Sequence, residues 1–483
     1  MTQFSSSFYQ LGSNFYSLVS PRALTNPKLV AVNPSCTQLL NLPPHNACNE
    51  KLWLQFSGHN LSPSAKPLAM VYAGHQFGGY SAQLGDGRGV LLGELQSRDG
   101  PRDIHLKGAG KTPYSRFGDG YAVMRSSIRE YLASIAMESL NIPSSAALCL
   151  YRGDNPVRRE TIEPAAILTR VARTHIRFGH FEYFHYSGKH QQLKQLADYV
   201  IGLFLADKVD TKERYYALLA MATQQTAQTI ALWQAEGFAH GVMNTDNMSI
   251  IGETLDYGPF GFMEAYHPGF ICNHSDQHGR YAFDQQPSIG LWNLNALAFA
   301  LSSLIPQAEA RNILASYQPC LHRAYHQRLS EKLGIESNGP FDEEHRQKLF
   351  DLMEKTKIDY SLFFRHLSRL SDPLWIDNIL NLSTQNSWRG DWEAWLVNHR
   401  KKLQNQESTL EQTQSRMLAA NPKFILRNYL AQQAIDAAHT GDYHEIEKLQ
   451  QVLLKPYEEH PEHENLASAP PPWASKIVVS CSS

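Results

Sequence analysis

The sequence has few cysteines and no long apolar run. Its six cysteines are scattered over 483 residues and none forms a C-x-x-C pair, which excludes a disulfide-rich secreted scaffold and favours a reducing compartment. No run of about 18 apolar residues occurs, and the N-terminus lacks a basic segment followed by an apolar one. We therefore expect a cytoplasmic protein with no membrane partner.

The sequence also lacks an excess of either charge. Lysine and arginine number 44 against 46 aspartate and glutamate, for a net charge near -2. Such a balance gives no reason to expect nucleic acid as the main partner, so any anionic ligand must be met by local charge. A hydrophobic content of 42% is typical of a globular chain, here long enough for one large two-lobed domain.

The N-terminal part is rich in strand patterns and the remainder in helical ones. Residues 80–84 and 90–95 flank Gly85-Asp86-Gly87-Arg88-Gly89, whose Asp-Gly pair predicts a tight β-hairpin. Further predictions are a strand at 103–107, helices over 124–140, 214–235 and much of 290–455, and an extended segment at 470–473. They divide the chain into an N-terminal lobe (1–190), a helical C-terminal lobe (191–460) and a tail (461–483).

The glycine-rich turn and two charged residues after it suggest a phosphate site. Gly85, Gly87 and Gly89 could let backbone N–H groups approach phosphates, although such a turn taken alone is usually structural. Lys107 on the next strand could neutralise phosphate charge, and Glu130 on the following helix could orient it as an ion pair. The alternative is an unrelated surface lysine and glutamate.

A segment near the middle of the chain favours the phosphate site. His240 and Asn247 stand seven residues apart, like the ends of the kinase H-R-D-x-x-x-x-N loop, and Asp256-Tyr257-Gly258 takes the D-F-G place after a short predicted hairpin. An Asn amide oxygen and an Asp carboxylate arranged in this way can hold Mg²⁺ against phosphate oxygens. Together these patterns predict an α+β, bilobal, protein-kinase-like fold with ATP and metal between its lobes.

One position departs from the kinase pattern. The catalytic Asp would fall two residues after His240, where this chain has Val242, a side chain that cannot accept a proton. Standard phosphoryl transfer is therefore in doubt. Asp246 is the nearest carboxylate that could act as the base, and the alternative is that it supports the neighbouring metal ligand Asn247.

Five longer runs carry a family resemblance. They are Tyr72-Ala-Gly-His-Gln-Phe-Gly, Leu84-Gly-Asp-Gly-Arg-Gly, His105-Leu-Lys-Gly-Ala-Gly, Tyr114-Ser-Arg-Phe-Gly-Asp-Gly and His240-Gly-Val-Met-Asn-Thr-Asp-Asn. With them the chain closely resembles the selenoprotein O family of protein adenylyltransferases over essentially its whole length. The resemblance implies a kinase-like fold that binds ATP in a flipped orientation. AMP would then pass to Ser, Thr or Tyr hydroxyls of target proteins, and pyrophosphate would leave.

The resemblance also implies roles for individual residues. The implied nucleotide contacts are Gly85, Gly87, Arg88, Lys107, Asp119, Gly120, Arg170, Arg177 and Asp256. Asn247 and Asp256 would bind Mg²⁺ or Mn²⁺, Asp246 would accept the proton, and Glu130 would orient Lys107. Without the resemblance, the basic segment 169–177 would favour a solvated cationic strand edge, although guanidinium groups also suit phosphate oxygens deep in a pocket.

A redox role is expected for two cysteines. Many eukaryotic members of the family carry selenocysteine near the C-terminus, where this chain has Cys481. We hypothesise that Cys481 pairs with Cys272 and so switches access to the site. The alternative is an unpaired tail thiol and a buried Cys272.

Two other functions stay open. A phosphotransferase would hold ATP in the ordinary orientation, and Val242 counts against it. A catalytically silent nucleotide-binding scaffold is less attractive because Lys107, Glu130, Asn247 and Asp256 are all present.

The aromatic run at 178–186 is expected in the core or an interface and not as a base-stacking platform. We expect a monomer with ATP and target proteins as partners.

Overall fold

A computed structural model describes residues 2–206, 213–336, 342–383 and 385–480. The fold is α+β, as the sequence predicts, and its arrangement is compatible with two lobes. The strands are β1 (Tyr16–Leu18), β2 (Lys28–Val32), β3 (Leu68–Met70), β4 (Gly74–Gln76), β5 (Gly79–Ser81), β6 (Gly89–Ser97), β7 (Gly100–Lys107), β8 (Ala122–Val123), β9 (Ala146–Arg158), β10 (Ile162–Ala172), β11 (Phe238–Ala239) and β12 (Gly261–Phe262).

Helices make up most of the chain after the sheet. They are α1 (Pro34–Leu39), α2 (Glu50–Trp53), α3 (Met124–Ser139), α4 (Phe178–Tyr186), α5 (His190–Phe204), α6 (Arg214–Ala235), α7 (Gln286–Ala300), α8 (Gln307–Leu314), α9 (Tyr317–Leu333), α10 (Glu343–Thr356), α11 (Tyr360–Leu367), α12 (Trp375–Leu380), α13 (Arg389–Gln404), α14 (Leu410–Ala420), α15 (Asn428–His439) and α16 (His444–Leu454). Within the described ranges, no helix combines the length and the apolar character that crossing a bilayer requires.

One antiparallel sheet organises the N-terminal part. Its strand order is β1-β3-β6-β7-β10-β9-β2, with β8 beside β10. The central strands β6, β7 and β10 are buried on both faces over most of their length, because the sheet is covered on both sides. β4 and β5 form a separate two-stranded hairpin, and β11 pairs with β12.

Helix α3 links the sheet to the helices at the C-terminal end of the chain. It packs against β9 and β10 on one side and against α15 and α16 on the other. The Tyr131 hydroxyl donates to Gln450 Oε1 at 2.5 Å, and the Arg129 guanidinium donates to the Phe260 carbonyl at 2.9 Å. This helix is therefore held from both sides, which fixes the position of every side chain it points towards the sheet.

The helix predictions are confirmed at the two places that matter for the site. The predicted helix 124–140 is α3, whose apolar residues recur at three- and four-residue steps. The predicted helix 214–235 coincides with α6, and Gly237, at φ 66°, follows it where the chain reverses. Helices α7 to α16 fill the predicted helical range, 290–455.

The predicted tight hairpin at 85–89 is wrong. β6 pairs with β3 and β7, and its tight turn lies at 98–99, while the predicted strand 80–84 overlaps only the end of β5. The reason is the burial of Asp86, whose carboxylate accepts from the Met70 N–H at 2.9 Å and whose own N–H donates to the Met70 carbonyl at 3.0 Å. The glycine-rich segment therefore runs beside the end of β3 instead of turning back.

Two smaller predictions hold only in part. The hairpin predicted after residue 248 is reduced to one bridge between Met248 and Thr254. The extended tail segment at 470–473 enters a 3₁₀ turn, Pro472–Lys476, because Trp473 packs edge-on against Tyr429 at a ring distance of 6.0 Å. Residues 461–467 also form a 3₁₀ helix and not a fully extended chain.

Candidate active site

A single cleft collects most of the predicted site residues. Its volume is about 540 Å³, a size that suits a nucleotide. The predicted residues that line it are Gly85, Gly87, Arg88, Lys107, Asp119, Gly120, Arg170, Arg177, Asp246, Asn247 and Asp256. Glu130 lies behind this wall, buried against Lys107.

A chain of ion pairs forms the floor of the cleft. Lys107 Nζ donates to Glu130 Oε2, and Arg170 Nε donates to Glu130 Oε1 at 2.5 Å. The same Arg170 guanidinium donates to Asp256 Oδ1, and Arg177 donates to Asp256 Oδ2. Both oxygens of each carboxylate are thus engaged by cations, and the five side chains, from β7, α3, β10, the loop after β10 and the loop between β11 and β12, act as one unit.

Strand register explains why Lys107 and Arg170 meet. In the β7 and β10 pair, Lys107 lies opposite Leu168, and Arg170 is two residues further along β10. Residues opposite each other and residues two apart point to the same face of a sheet. The two cations therefore share the face that α3 covers with Glu130. The solvated strand edge that residues 169–177 alone favour is wrong, because β10 is a central strand and Arg170 is buried.

Burial and charge together shift the pKa values on this floor. Burial, helped by the Arg170 and Arg88 cations, lowers the pKa of Lys107 to about 8 against the pull of Glu130. Burial acts to raise the pKa of Asp256, but Arg170 and Arg177 outweigh it and hold that pKa well below its usual range. Asp256 is therefore a carboxylate anion at neutral pH.

The cleft carries more positive than negative charge. Six cationic side chains line it, against four carboxylates in the lining and Glu130 behind it; the cations are Arg88, Lys107, Arg116, Arg159, Arg170 and Arg177, and the lining carboxylates are Asp86, Asp119, Asp246 and Asp256. Arg88 is exposed to the cleft and makes no ion pair with any described residue. An excess of guanidinium and ammonium groups attracts a polyphosphate, and guanidinium can bind its oxygens bidentately.

The glycines of the first loop serve close packing. A Cβ on Gly85 would lie 2.5 Å from the Tyr114 ring, and one on Gly89 would lie 2.4 Å from His105 Cε1. The N–H groups of Gly85 and Gly87 donate to the carbonyls of Tyr72 and Gly85. Both N–H groups that the predicted phosphate cradle would use therefore already have main-chain acceptors in this structure.

A second loop, which contains Asp119 and Gly120, closes the cleft above the glycine-rich segment 85–89. Gly120 has φ 81°, and a Cβ there would lie 2.1 Å from the Gly110 carbonyl carbon, so only glycine fits. Next to it, Asp119 pairs with Arg159 at 2.6 Å. These contacts hold the loop over the glycine-rich segment, which explains why Asp119 and Gly120 reach the same cleft as Lys107.

Asn247, and Asp256 within the ion-pair floor, present oxygen atoms to the same cleft. Asn247 Nδ2 donates to the Val242 carbonyl at 3.0 Å, which fixes the amide with Oδ1 free of partners among the described residues. Asp256 has φ 60°, a left-handed conformation that a non-glycine residue adopts at a cost and that functional turns often retain. No group of three His, Cys, Asp or Glu suited to a metal occurs in the described ranges. One carboxylate and one amide fit Mg²⁺ or Mn²⁺, which complete their shells with phosphate oxygens and water.

Asp246 stands beside these ligands with one oxygen unused. Gln76 Nε2 donates to Asp246 Oδ2 at 3.1 Å, while Oδ1 is buried and has no hydrogen-bond partner among the described residues. Arg177 donates to the Asp246 main-chain carbonyl at 2.7 Å. Burial raises the pKa of Asp246 to about 7. A buried carboxylate oxygen without a partner can accept a hydrogen bond from a hydroxyl that enters the cleft.

Two supporting residues escaped the sequence analysis. Gln76 orients Asp246, and buried Glu182 accepts from the Thr245 hydroxyl and contacts His75 Nδ1 at 2.6 Å. His75 and Gln76 lie in the run of residues 72–78 that carries the family resemblance, which was the available signal. Glu182 lies on α4, a segment in which the sequence pattern indicated only a run of aromatic residues.

The structure describes one of the two cysteines for which a redox role is predicted. Cys272 is buried, and its thiol donates to the Ala239 carbonyl at 3.4 Å, behind the loop that contains Val242. Cys481 lies outside the described residues. The chain just before it is held close to Cys272, because the Val479 carbonyl accepts from the His274 N–H at 2.9 Å.

Comparison with known proteins places this site in a family. The family model described as "Protein adenylyltransferase SelO" matches residues 1–454. The chain belongs to the SelO family. It is 47% identical over 488 residues to a Vibrio vulnificus protein, with 100% of this chain and 99% of the relative covered. The relative is named protein nucleotidyltransferase YdiU, and the family predicted from the sequence is confirmed.

Two further SelO relatives come from other bacteria and carry the same name. The Azotobacter vinelandii protein is 46% identical over 485 residues, and a Pseudomonas fluorescens protein is 45% identical over 485 residues. In both comparisons 99% of this chain and 98% of the relative are covered. The similarity to SelO proteins therefore includes both the sheet with its cationic cleft and the helical part.

Proposed function

We propose that this chain transfers AMP from ATP onto Ser, Thr or Tyr hydroxyls of target proteins and releases pyrophosphate. Membership of the SelO family makes it a protein nucleotidyltransferase. The observation that carries the finer proposal is the cleft itself. It brings together a surplus of cations, the amide and carboxylate oxygens of Asn247 and Asp256, and the unpartnered Asp246 Oδ1.

The cations would bind the triphosphate. Arg170 and Arg177 now donate to Asp256, and phosphate oxygens offer them an alternative anion deep in the cleft. This depth supports the flipped orientation of ATP, with the β- and γ-phosphates inward. Asn247 and Asp256 would hold Mg²⁺ or Mn²⁺, which supplies charge neutralisation at the phosphates.

Asp246 would act on the acceptor. Its Oδ1 accepts the proton of the hydroxyl, whose oxygen forms a bond to the α-phosphorus as the bond from that phosphorus to the bridging β-phosphate oxygen breaks. Pyrophosphate carries away the electron pair. Val242 leaves the usual kinase base position without a carboxylate, and Gln76 keeps Asp246 oriented for the alternative role.

The finer fold description and the redox role are part of the same proposal. A kinase-like, two-lobed fold, divided at 1–190, 191–460 and 461–483, is supported by the Lys107 and Glu130 pair under the sheet and by the loop from His240 to Asp256. A Cys272–Cys481 disulfide would tie the tail to the back of that loop. We also propose a monomeric protein of the cytoplasm.

Mass spectrometry of intact protein and peptides tests the proposal. The chain is incubated with ATP and Mg²⁺ or Mn²⁺, alone and with lysate proteins, beside an Asp256→Ala control. We expect an added AMP that is absent in the control, because Asp256 is the carboxylate ligand. An added phosphate would instead support a phosphotransferase, and no modification of any protein would support a silent scaffold.

A further inference from the structure

Large aromatic side chains are exposed together beside the β4–β5 hairpin. Phe77 and Tyr80 on the hairpin are 44% and 37% exposed, Tyr186 at the end of α4 is 44% exposed, and Trp292 and Phe299 on α7 are 36% and 57% exposed. Three separate elements contribute to this group, which we call the aromatic surface. Isolated exposed apolar residues need no explanation, but a cluster of this kind marks an interaction site.

Ring contacts connect the aromatic surface apart from Phe77, whose ring instead packs against Tyr281 at 5.1 Å. The rings of Phe299 and Tyr186 lie 6.1 Å apart, and those of Tyr186 and Tyr80 lie 4.3 Å apart. His75 then bridges Tyr80 and Trp292, with ring distances of 5.2 Å to each. The side chains thus support one another, so that the surface is preorganised before any partner arrives.

An uncompensated cation lies at one end of the aromatic surface. The Arg280 guanidinium lies 4.9 Å from the centre of the Trp292 ring and makes no ion pair with any described residue. It lines a second cavity of about 750 Å³ together with Phe77 and Ile271. Asp276 and Asp284 also line that cavity but form no ion pair with Arg280, and Asp276 accepts from the main-chain N–H groups of Arg280 and Tyr281. A carboxylate from a partner would therefore complement this end.

The same hairpin connects the aromatic surface to the proposed base. Gln76, which orients Asp246, immediately precedes Phe77, and Phe77 lines both the second cavity and the nucleotide cleft. The Phe77 N–H donates to Asn244 Oδ1 at 3.2 Å, two residues before Asp246. The hairpin therefore joins the aromatic surface to the edge of the cleft where Asp246 lies.

We propose that the aromatic surface is the docking site for the acceptor protein. Its occupant is a polypeptide segment that carries the modified hydroxyl, with an apolar or aromatic side chain for Trp292 and its neighbours and a carboxylate for Arg280. This inference rests on the proposed AMP transfer. Continuity with the cleft supports it, because the cationic wall belongs to the nucleotide and a macromolecular acceptor must reach Asp246 from the hairpin side.

Acceptor kinetics of matched variants test the docking site. The probe is a peptide library with a central Ser, Thr or Tyr and randomised flanking positions. Trp292→Ala is compared with Trp473→Ala, a tryptophan of similar exposure, 43%, on the tail. We expect Trp292→Ala to raise the KM for peptide about tenfold, the effect of losing an aromatic anchor, with the KM for ATP unchanged. Trp473→Ala should change neither.

Selection among peptides gives a second readout. The wild-type chain should enrich modified peptides for an aromatic or apolar residue and for Asp or Glu at defined distances from the hydroxyl. Arg280→Ala should lose the Asp and Glu enrichment while keeping the aromatic one, a pattern that general destabilisation would not produce. Phe299→Ser provides a second aromatic variant if Trp292→Ala proves unstable in thermal denaturation.

Three outcomes would overturn the docking site. One is an unchanged KM and unchanged selection in Trp292→Ala and Arg280→Ala. Another is a wild-type dimer that Trp292→Ala converts to a monomer with the KM for peptide unchanged, which would assign the surface to a second copy of the chain. If the wild type binds ATP but modifies no peptide or protein, the transfer itself fails. Equal retention of the library by immobilised wild-type and Trp292→Ala chains would then reject docking separately.

Discussion

Replacing Asp246 with asparagine should stop transfer while sparing nucleotide binding. Asparagine has the same shape, and its oxygen can still accept from Gln76 Nε2, which lies 3.1 Å from Asp246 Oδ2. Arg177 contacts the main-chain carbonyl of Asp246 and not its carboxylate, so the cationic side chains proposed to bind phosphate should keep their positions. What the variant loses is the ability of Oδ1 to take a proton.

The size of the effect follows from that single loss. A positioned general base typically contributes about 10²- to 10⁴-fold to a rate, equivalent to about 3–5 kcal/mol of transition-state stabilisation. We therefore expect kcat to fall by about that factor in Asp246→Asn. The KM for ATP should stay within about threefold, since no cation among the described residues pairs with the lost charge and RT ln 3 is about 0.6 kcal/mol.

Asp119 provides the matched control. It also lines the cleft, but its carboxylate is paired with Arg159 at 2.6 Å and lies in the loop above the glycine-rich segment. Asp119→Asn should raise the KM for ATP and leave kcat nearly unchanged. Both variants are assayed by quantitative mass spectrometry of AMP-peptide formation over a range of ATP concentrations. A kcat within threefold of the wild type in Asp246→Asn would refute the base assignment.

Three further expectations concern stability. Glu130→Gln leaves buried Lys107 without its carboxylate and should destabilise the fold by about 3 kcal/mol in urea denaturation; an unchanged midpoint would contradict the ion-pair network. Gly89→Ala should cost about 1–3 kcal/mol through its clash with a buried ring, whereas Gly202→Ala, in a helix with open space around it, should stabilise by about 0.5–1 kcal/mol. Burial lowers the pKa of His399 to about 3, so the unfolded chain binds a proton that the folded chain does not, and the free energy of unfolding falls as the pH drops below about 6.5. Between pH 7 and pH 5 the His399→Gln variant should therefore lose about 2 kcal/mol less of its free energy of unfolding than the wild type. Equal losses would show that this ring does not titrate on unfolding.

Local patterns were enough to find much of the site. Helix periodicity placed Glu130 on the face of α3 that meets the sheet, and the small neighbours Ser127 and Ser134 are buried there. Spacing within one short segment likewise brought Asn247 and Asp256 to the same wall. These inferences succeeded because each depends on geometry over a few residues or on the fixed repeat of one element.

Other features depend on contacts between distant parts of the chain. The Asp86-Gly87 pair has the local signature of a hairpin, yet Asp86 is drawn to Met70 and the strand pairs elsewhere. Gln76 and Asp246 are 170 residues apart in sequence. No local pattern records that Arg170 lies on a central strand, because strand order is set by pairing across the whole sheet.

The ion-pair floor also limits how variants at its cations can be interpreted. Both Asp256 oxygens accept from guanidinium groups, one from Arg170 and one from Arg177. Removing either arginine takes one of its two cations from a half-buried carboxylate, a penalty that is separate from phosphate binding. Loss of activity in Arg177→Met would therefore not by itself identify a phosphate contact. Comparing Arg177→Met with Asp256→Asn and with the double variant separates the cost of the uncompensated Asp256 charge from the loss of the nucleotide contact.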